Sequence, residues 1–463
     1  MTSELTIVSP VDGSIYASRP AATANEVARV FNQAAAAQRD WAPTSIAERA
    51  ELCARFVDAF VAMQDDMVPE LSWQMGRPIS AGAGEIRGFE ERARHMISIA
   101  EDALAPLRPS PIDGFDRYIE RSPLGVVFVI AAWNYPYLIA VNSVVPALMA
   151  GNAVVLKHSS QTLLCAERFQ MAFDAAGLPP HTFQTIHTDH ATTAAAIQHP
   201  NTSFVAFTGS VAGGHSIQQA AANRFIGVGL ELGGKDPAYV RADANLSFAV
   251  ENLVDGAFFN SGQSCCAKER LYVHGDIYDQ FVEAFVSMTS QYRLGNPLDP
   301  DTNLGPMVRT SAAQFVQTQI DDACHKGARA LIDTASFSQA KEGSPYQAPQ
   351  VLVDVDHSMD VMTEESFGPV IGIMKVRDDD EAIRLMNDSP FGLTASVWTE
   401  DADATRTIGG QINTGTWFMN RCDYLDPSLA WTGVGDSGRG CTLSKIGYEQ
   451  LTRPKSFHLR LST

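Results

Sequence analysis

The sequence predicts an α/β fold: a parallel-sheet domain, a second α/β domain and a small β extension. Three observations favour it. Residues 24–105 carry helical periodicity in Ala-rich, charge-bearing segments, after which short apolar runs alternate with helices. This alternation, which begins again at Gly233, is the pattern of a parallel sheet with crossover helices. A chain of 463 residues is also too long to fold around a single hydrophobic core.

The first alternation places turn residues directly after its strands. Its predicted elements are the strand Val126–Ala131, the helix Tyr137–Ala150, the strand Ala153–Lys157, the strand Phe204–Phe207 and a helix that ends near Ala222. This order is typical of dinucleotide-binding architectures. The loop Gly209-Ser-Val-Ala-Gly213-Gly214 does not match the GxGxxG pattern, so any nucleotide site must be built in another way.

The second alternation and two outlying segments complete the domain prediction. The second unit begins with the predicted elements Asp236–Arg241, Ala249–Asn260, Arg270–Val273 and Ile277–Arg293. The segments Pro109–Arg121 and Pro454–Ser462 belong naturally to neither core, and protruding strands of this kind often pair with another subunit. We therefore divide the chain into a first domain of residues 1–108 and 124–232, a second domain of residues 233–440, and an extension of residues 109–123 and 441–463.

Composition and charge exclude several classes of protein. The net charge of −19 disfavours nucleic-acid binding, which requires a Lys- and Arg-rich surface. The uncharged run from Gly125 to Leu156 is long enough to span a membrane, but its Asn and Pro residues predict strand, turn, helix and strand instead. The seven cysteines are mostly far apart, and Met1 to Ser9 lacks a signal-peptide pattern. We expect a cytoplasmic protein with no nucleic-acid partner, no membrane partner and no metal site.

Two adjacent cysteines follow a glycine and small polar residues in the segment Asn260-Ser-Gly-Gln-Ser-Cys265-Cys266. The segment lies at a predicted helix-to-strand junction, where a thiol can be exposed. A thiolate whose pKa is lowered by nearby donors or charge is a strong nucleophile, and aldehydes are good electrophiles for it. Taken alone, however, vicinal cysteines are more often buried as small hydrophobic residues.

Three further segments change this interpretation when they are taken together with Cys265. They are Trp133-Asn134-Tyr135-Pro136, Leu230-Glu231-Leu232-Gly233-Gly234-Lys235 and Glu365-Ser-Phe367-Gly-Pro369. In their order and spacing over nearly the whole chain, the four segments resemble the aldehyde dehydrogenase superfamily. The resemblance implies NAD(P)-dependent oxidation of an aldehyde to a carboxylic acid. It also implies a cofactor-binding first domain, a catalytic second domain and an oligomerisation extension.

The catalytic roles are implied by the same resemblance. Cys265 matches the nucleophile, which forms a thiohemiacetal and then a thioester. Asn134 and the Cys265 amide match the oxyanion donors, although an isolated Asn before Pro would by default cap the following helix. Glu231 matches the base that activates water for hydrolysis, whereas a lone Glu would otherwise be assigned to the solvated surface. Many relatives carry a second Glu after a C-terminal Gly-Arg; this chain has Gly438-Arg439-Gly440, which leaves Glu231 as the base.

For the cofactor, the resemblance implies one set of residues: Trp133, Lys157, Ser160, Gly209, Ser210, Glu365 and Phe367. Lys157 matches the residue that holds the adenosine ribose, and Ser210 matches the one at the pyrophosphate. Ser160 stands where NAD-preferring relatives commonly carry Glu, whose carboxylate repels a 2′-phosphate. We therefore expect NAD or NADP as the cofactor, with the preference left open.

The substrate pocket is predicted on the helix that follows Trp133. Its expected wall residues are Tyr135, Leu138, Ile139 and Asn142. None of these is cationic, so we expect a neutral or aromatic aldehyde to be preferred over succinic semialdehyde. Arg421, in the expected opposite wall, could supply a positive charge unless it forms a pair with Asp423.

Two alternatives stay open beside this prediction. One is transfer of the thioester to coenzyme A; such relatives typically lack the Glu base, so Glu231 argues for hydrolysis. The other is an inactive binding or structural homologue, which the intact set of Cys265, Glu231, Asn134 and Lys157 disfavours. We expect a homodimer or a homotetramer, and the sequence selects neither of these states nor one particular aldehyde.

Overall fold

Two mostly parallel β-sheets covered by helices organise the structure, a computed structural model that describes residues 3–462. The α/β prediction is therefore confirmed. The strands are Glu4–Val8 (β1), Ile15–Pro20 (β2), Phe115–Pro123 (β3), Val126–Ala131 (β4), Ala153–His158 (β5), Phe183–Thr185 (β6), Thr202–Thr208 (β7), Gly227–Glu231 (β8), Asp236–Val240 (β9), Lys268–His274 (β10), Arg329–Ala330 (β11), Gln350–Val353 (β12), Val370–Val376 (β13), Phe391–Gly392 (β14), Thr394–Trp398 (β15), Thr416–Met419 (β16), Val434–Gly435 (β17), Gly438–Arg439 (β18) and Thr452–Arg460 (β19).

The α-helices alternate with these strands after an all-helical segment near the amino terminus. They are Ala24–Trp41 (α1), Ile46–Val61 (α2), Gln64–Met75 (α3), Ile79–Ala103 (α4), Pro136–Met149 (α5), Leu163–Ala176 (α6), His190–Gln198 (α7), Val211–Ala221 (α8), Leu246–Phe258 (α9), Tyr278–Thr289 (α10), Thr310–His325 (α11), Asp360–Thr363 (α12), Asp379–Asn387 (α13) and Ala402–Gly409 (α14). No helix within residues 3–462 is both long enough and apolar enough to cross a membrane.

The first sheet has the strand order β18-β8-β7-β4-β5-β6 and is parallel except for β18. Every residue of β4 is buried, because helices cover both faces of this central strand. Parallel pairing brings the carboxyl ends of β4, β5, β7 and β8 to one edge, with Thr208 opposite Glu231. The residues that follow these strands therefore meet at this edge, where ligands bind in open α/β sheets.

The second sheet has the order β11-β12-β13-β10-β9-β15-β16 and is parallel except at β11. Between α9 and β10 the backbone turns through Asn260 and Ser261, both with positive φ, and Gly262. A Cβ at Gly262 would collide with the backbone of Gly368, so only glycine allows this close approach. The turn carries the two cysteines to the interface with the first sheet.

Two segments outside the sheets differ in detail from the sequence prediction. The amino-terminal hairpin β1–β2 was not predicted; Arg19 in β2 makes a two-pronged ion pair with Glu167 of α6. The strands β3 and β19 pair with each other, and Tyr118 stacks on Phe457. The division into domains stays a prediction.

The carboxyl-terminal segment between the second sheet and β19 packs against the first sheet. Strand β18 joins β8, although our division placed residues up to 440 in the second domain. Leu443, Tyr448 and Leu451 are buried in the core formed with α2, α4 and α5. The Tyr448 hydroxyl donates to the carbonyl of Met96 at 2.6 Å. These contacts place Thr442 beside Glu231, the last residue of β8.

Candidate active site

Cys265 lies between two cavities. The first, of about 250 Å³, lies between helices α4 and α5 and is called here the α4–α5 cavity. The second, of about 350 Å³, lies along the carboxyl edge of the first sheet and is called the sheet-edge cavity. Cys265, Thr208 and Leu232 border both cavities, so a molecule in either one can reach the same sulfur.

The two adjacent cysteines have different environments. Cys265 is partly exposed and opens to both cavities, whereas Cys266 is 3% exposed. The Cys266 thiol donates to Asp423 Oδ1 at 2.9 Å. The neighbouring Cys265, burial and Asp423 together hold the pKa of the Cys266 thiol well above its usual value. Cys266 is therefore a poor nucleophile, and Cys265 is the thiol that a ligand can reach.

Asn134 is buried immediately after β4 and borders the sheet-edge cavity. Its side-chain Nδ2 donates to the carbonyl of Gln263 at 3.3 Å, two residues before Cys265. Its own carbonyl accepts from Arg77 and from Asn260 Nδ2, so the loop is held from two sides. Asn134 does not cap the following helix, because its side chain makes no capping hydrogen bond to α5, whose N-cap is Tyr135.

Glu231 ends β8 and lines the α4–α5 cavity. Thr442 Oγ1 donates to Oε1 at 2.5 Å, and Thr208 Oγ1 donates to Oε2 at 3.1 Å. Burial raises the pKa of Glu231, and the two threonine hydroxyls and Arg92 act in the opposite sense. A carboxyl group with a raised pKa that faces a cavity has the properties of a general base.

Glu365 and Phe367 border the sheet-edge cavity opposite Trp133. The rings of Trp133 and Phe367 meet edge to face, with centroids 5.6 Å apart. Glu365 Oε1 accepts from the N–H of Gly234 at 2.9 Å, and burial together with Glu269 raises the pKa of Glu365 to about 8. A Cβ at Gly233 would collide with this carboxylate, and a Cβ at Gly234 would collide with the carbonyl of Cys265, so both positions require glycine.

Gly209 and Ser210 line the sheet-edge cavity at the start of α8. Ser210 is the N-cap of α8, and its side chain accepts from the N–H of Gly213 at 3.2 Å. The N–H groups at the start of such a helix attract anions.

Lys157 and Ser160 lie at and after the carboxyl end of β5, outside the lining of that cavity. Burial lowers the pKa of Lys157 to about 8.

The sequence analysis missed Glu269, a buried residue of β10. Its Oε2 accepts from Lys235 Nζ at 2.7 Å and from the N–H of Ser366 at 2.8 Å, while Oε1 accepts from the N–H of Phe367 at 2.9 Å. These bonds hold Phe367 in a backbone conformation with φ of 48°. Glu269 therefore positions the Glu365–Phe367 segment, although it borders neither cavity.

Of the five residues predicted for the substrate pocket, four line the α4–α5 cavity and one does not. Tyr135, Leu138, Ile139 and Asn142 all line the α4–α5 cavity. Arg421 does not, and this placement must be corrected: its side chain is exposed and lies over the ring of Tyr424, at 3.8 Å from the centroid. The loop reaches the cavity through Asp423 and Leu425 instead, with a left-handed turn at Asp423.

Two arginines line the α4–α5 cavity, and the sequence analysis predicted neither. Arg77 forms an ion pair with Glu85 of α4. Arg92, also from α4, donates through Nη1 to the carbonyl of Leu138 at 3.2 Å and to Asn142 Oδ1 at 3.3 Å. The expectation of a pocket without a cation is therefore wrong. The signal was present in the sequence, because Glu85, Phe89, Arg92 and Met96 recur at helical spacing on the buried face of α4.

Asp423 carries the remaining charge of this cavity. Its Oδ1 accepts from Cys266 and, at 3.4 Å, from Ser264 Oγ, rather than from Arg421. Burial raises the pKa of Asp423 to about 6. Among the described residues no group of three or more His, Cys, Asp or Glu side chains is arranged to hold a metal ion.

A parallel sheet whose strand ends converge on an accessible cysteine, with a buried carboxylate on one side and a helix N-terminus on the other, defines an enzyme. The family model named "Aldehyde dehydrogenase family" matches residues 1–457. The chain belongs to the aldehyde dehydrogenase family.

Individual relatives cover almost the whole chain. The succinate-semialdehyde dehydrogenase (NADP(+)) 1 of Mycobacterium bovis (strain BCG / Pasteur 1173P2) is 33% identical over 451 residues, which are 97% of this chain and 98% of that protein. The succinate semialdehyde dehydrogenase (NAD(P)+) of Escherichia coli (strain K12) is 32% identical over 445 residues, or 96% and 95% of the two chains. An NAD-dependent aldehyde dehydrogenase from Sinorhizobium meliloti has a similar crystal structure, with a TM-score of 0.95, 31% identity and coverage of 100% of this chain and 92% of its own.

Proposed function

We propose that the enzyme oxidises an aldehyde to a carboxylic acid through a thioester on Cys265, which is hydrolysed by water that Glu231 activates. The observation that carries the proposal is the position of Cys265 at the junction of two cavities. Glu231 lines one of them, and Trp133, Glu365 and Phe367 line the other. Substrate and cofactor can thus reach the sulfur from opposite sides.

The first step is attack of the Cys265 thiolate on the aldehyde carbon, which forms a tetrahedral oxyanion. Two donors are available for it: the side-chain amide of Asn134 and the backbone N–H of Cys265, which has no protein acceptor within residues 3–462. Donors that are already oriented stabilise the oxyanion at little reorganisation cost. The oxyanion then collapses to the thioester as the carbon loses a hydride.

NAD or NADP supplies the hydride acceptor when it is bound. The sheet-edge cavity has donors and acceptors that fit it. Outside that cavity, at the end of β5, the partly buried Lys157 has a lowered pKa that a hydroxyl or phosphate partner would raise again. Ser210 and the N-terminus of α8 suit the pyrophosphate, and the buried carboxylate of Glu365 suits ribose hydroxyls.

Glu231 removes a proton from water in the second step, and the hydroxide attacks the thioester carbon. The C–S bond breaks, the acid leaves and the Cys265 thiolate is regenerated. The position of Glu231 in the α4–α5 cavity supports hydrolysis over transfer of the acyl group to coenzyme A. The variant Glu231→Gln tests this division of labour, because it removes the base and leaves the shape of the site.

In a stopped-flow experiment, Glu231→Gln should release a burst of reduced cofactor close to one equivalent per active site, followed by slow turnover. Cys265→Ala serves as the control without a burst. If Glu231→Gln loses the burst together with turnover, the residue also activates the thiol, and the proposed division of roles is wrong.

We further infer that the enzyme is a homodimer or homotetramer of the cytoplasm. The ribbon of β3 and β19 leaves the outer edge of β19 without a strand partner among residues 3–462, and a second copy could extend it. All seven cysteines are free, which suits a reducing compartment. Sedimentation equilibrium of the purified protein tests the assembly; a monomer at micromolar concentration would contradict it.

A further inference from the structure

We propose that Arg92 binds a carboxylate at the far end of the aldehyde, so that the enzyme prefers aldehydes that carry a terminal carboxylate over uncharged ones. The proposal rests on the proposed function, because it places the aldehyde carbon at Cys265. It reverses the preference that the sequence alone predicts.

The orientation of Arg92 supports this role. The residue is 9% exposed and is held by α5 through one nitrogen only, since both of its hydrogen bonds, to Leu138 and to Asn142, come from Nη1. Nε and Nη2 have no acceptor among residues 3–462, and the side chain borders the α4–α5 cavity. A guanidinium that borders a cavity and has N–H groups without an acceptor can receive a carboxylate in the two-pronged manner that arginine favours.

The charges around Arg92 also support the binding of a substrate carboxylate. Arg77, the other arginine of the cavity, has its counter-charge in Glu85. Arg92 has no carboxylate within 4.0 Å in the described part of the chain. Burial lowers the pKa of Arg92 although Cys265, Cys266 and Glu231 are near enough to raise it. A buried cation without a partner is costly, and a bound carboxylate would remove that cost.

The rest of the cavity fits the body of such a substrate. The cavity that Cys265 and Arg92 share also has apolar lining residues: Leu138, Ile139, Leu393, Leu425 and Trp431. Besides Glu85, which pairs with Arg77, two carboxylates of the cavity oppose an anionic ligand, and each accepts hydrogen bonds from protein groups. Asp423 accepts hydrogen bonds from Cys266 and Ser264, and its charge acts to raise the pKa of Arg77. Glu231 accepts hydrogen bonds from two threonines. Arg92 is thus the one arginine of the lining that is free to balance a substrate carboxylate.

Matched pairs of aldehydes test the proposal. We compare kcat/KM for succinic semialdehyde with butanal, for glutaric semialdehyde with pentanal, and for 4-carboxybenzaldehyde with benzaldehyde. The ratio within a pair cancels any effect of Arg92 on Glu231, because both members use the same base. In the wild type at least one acid should exceed its uncharged partner by more than about tenfold.

Arg92→Gln should lower that ratio by roughly tenfold to a hundredfold, mainly through kcat/KM of the acid. Arg92→Lys keeps the positive charge but cannot make the two-pronged hydrogen bond of a guanidinium, so it should retain part of the preference for the acid. The matched control is Arg87→Gln, an exposed arginine of the same helix that lines neither cavity, and it should leave the ratio unchanged. An equal loss for both members of every pair, or a wild type without preference for any acid, overturns the proposal.

A measurement without turnover separates this proposal from the proposed function. Succinate should slow the alkylation of Cys265 by iodoacetamide in the wild type, and butyrate should do so at least about tenfold less well. Arg92→Gln should lose the protection by succinate. If protection holds and no aldehyde is oxidised with NAD or NADP, the proposed function fails while the carboxylate site stands. If oxidation occurs and protection does not, the carboxylate site fails.

Discussion

Thr442 Oγ1 lies 2.5 Å from Oε1 of Glu231, although the two residues are 211 positions apart in the chain. Strand β18 creates this contact, because Gly438 and Arg439 pair with Glu231 and Leu230 and carry the following residues to the end of β8. The hydroxyl donates to the carboxylate and stabilises its ionised form. Thr442 therefore orients the proposed base and lowers its pKa, although it does not line the α4–α5 cavity.

Removal of this hydroxyl should shift the pH dependence of hydrolysis. In Thr442→Val the ionised form of Glu231 loses a donor, so its pKa rises and the acid limb of kcat moves to higher pH. A hydrogen bond to a charged group contributes about 1.5–3 kcal/mol, which corresponds to a shift of about one to two pH units. Thr442→Ser keeps the donor and should show the wild-type profile. A limb that moves to lower pH in Thr442→Val would contradict this assignment.

The two cysteines should differ sharply on substitution. Cys265→Ala should abolish dehydrogenase activity, because it removes the sulfur that borders both cavities. Cys266→Ala should retain most activity, since that thiol is buried against Asp423. Peptide mapping after brief iodoacetamide treatment should find the label on Cys265, with protection by aldehyde. Rapid, aldehyde-protected labelling of Cys266 would reverse the assignment.

Local sequence patterns predicted much of the fold. Val126–Ala131 is a strand with the predicted bounds, because a fully buried parallel strand is an unbroken apolar run between turn residues. The hairpin β1–β2 escaped prediction since its residues are mostly half-buried and alternate weakly. The two-residue strand β18 has no pattern of its own and exists through its pairing with β8.

The residues of the site likewise fall into those that sequence patterns predicted and those that they did not. Asn134, Ser210 and Glu231 lie at or just after strands of the first sheet, where chain order already places them at one edge. Cys265, Glu365 and Phe367 instead precede strands β10 and β13 of the second sheet, and motif spacing predicted them. Arg92, Glu269 and Asp423 act across large sequence separations and belong to segments that read as ordinary charged helix, strand or loop. Only the periodicity of α4, which puts Arg92 on the buried face, offered a local signal.

Cofactor preference should depend on Ser160. This residue is exposed in the turn after β5, three positions from Lys157, and it carries no charge. The wild type should therefore use NADP as well as NAD. In Ser160→Glu the new carboxylate should repel the 2′-phosphate and shift the ratio of kcat/KM towards NAD by roughly tenfold to a hundredfold. Ser160→Gln, similar in size and uncharged, is the control. A wild type restricted to NAD, together with an unchanged ratio in Ser160→Glu, would show that another residue discriminates.

Loss of charge at Glu269 should affect both stability and cofactor binding. Glu269→Gln leaves Lys235 buried without its counter-charge, and breaking a buried ion pair on one side costs about 3–5 kcal/mol in the free energy of unfolding. The same change weakens the acceptors of the Ser366 and Phe367 N–H groups, so the KM for the cofactor should rise while Cys265 stays reactive to iodoacetamide. Urea unfolding and initial rates measure the two effects.

Glu364→Gln provides the comparison for this experiment, because Glu364 is exposed, lies next to Glu365 and carries the same charge. It should change neither the free energy of unfolding nor the KM for the cofactor by more than experimental scatter. The two readouts of Glu269→Gln also discriminate between roles. A stability loss with an unchanged KM would make the Lys235–Glu269 pair a purely structural element of the second sheet. A raised KM with unchanged stability would show that Lys235 is neutral when buried, since a neutral amine needs no counter-charge and the low-dielectric site already lowers its pKa.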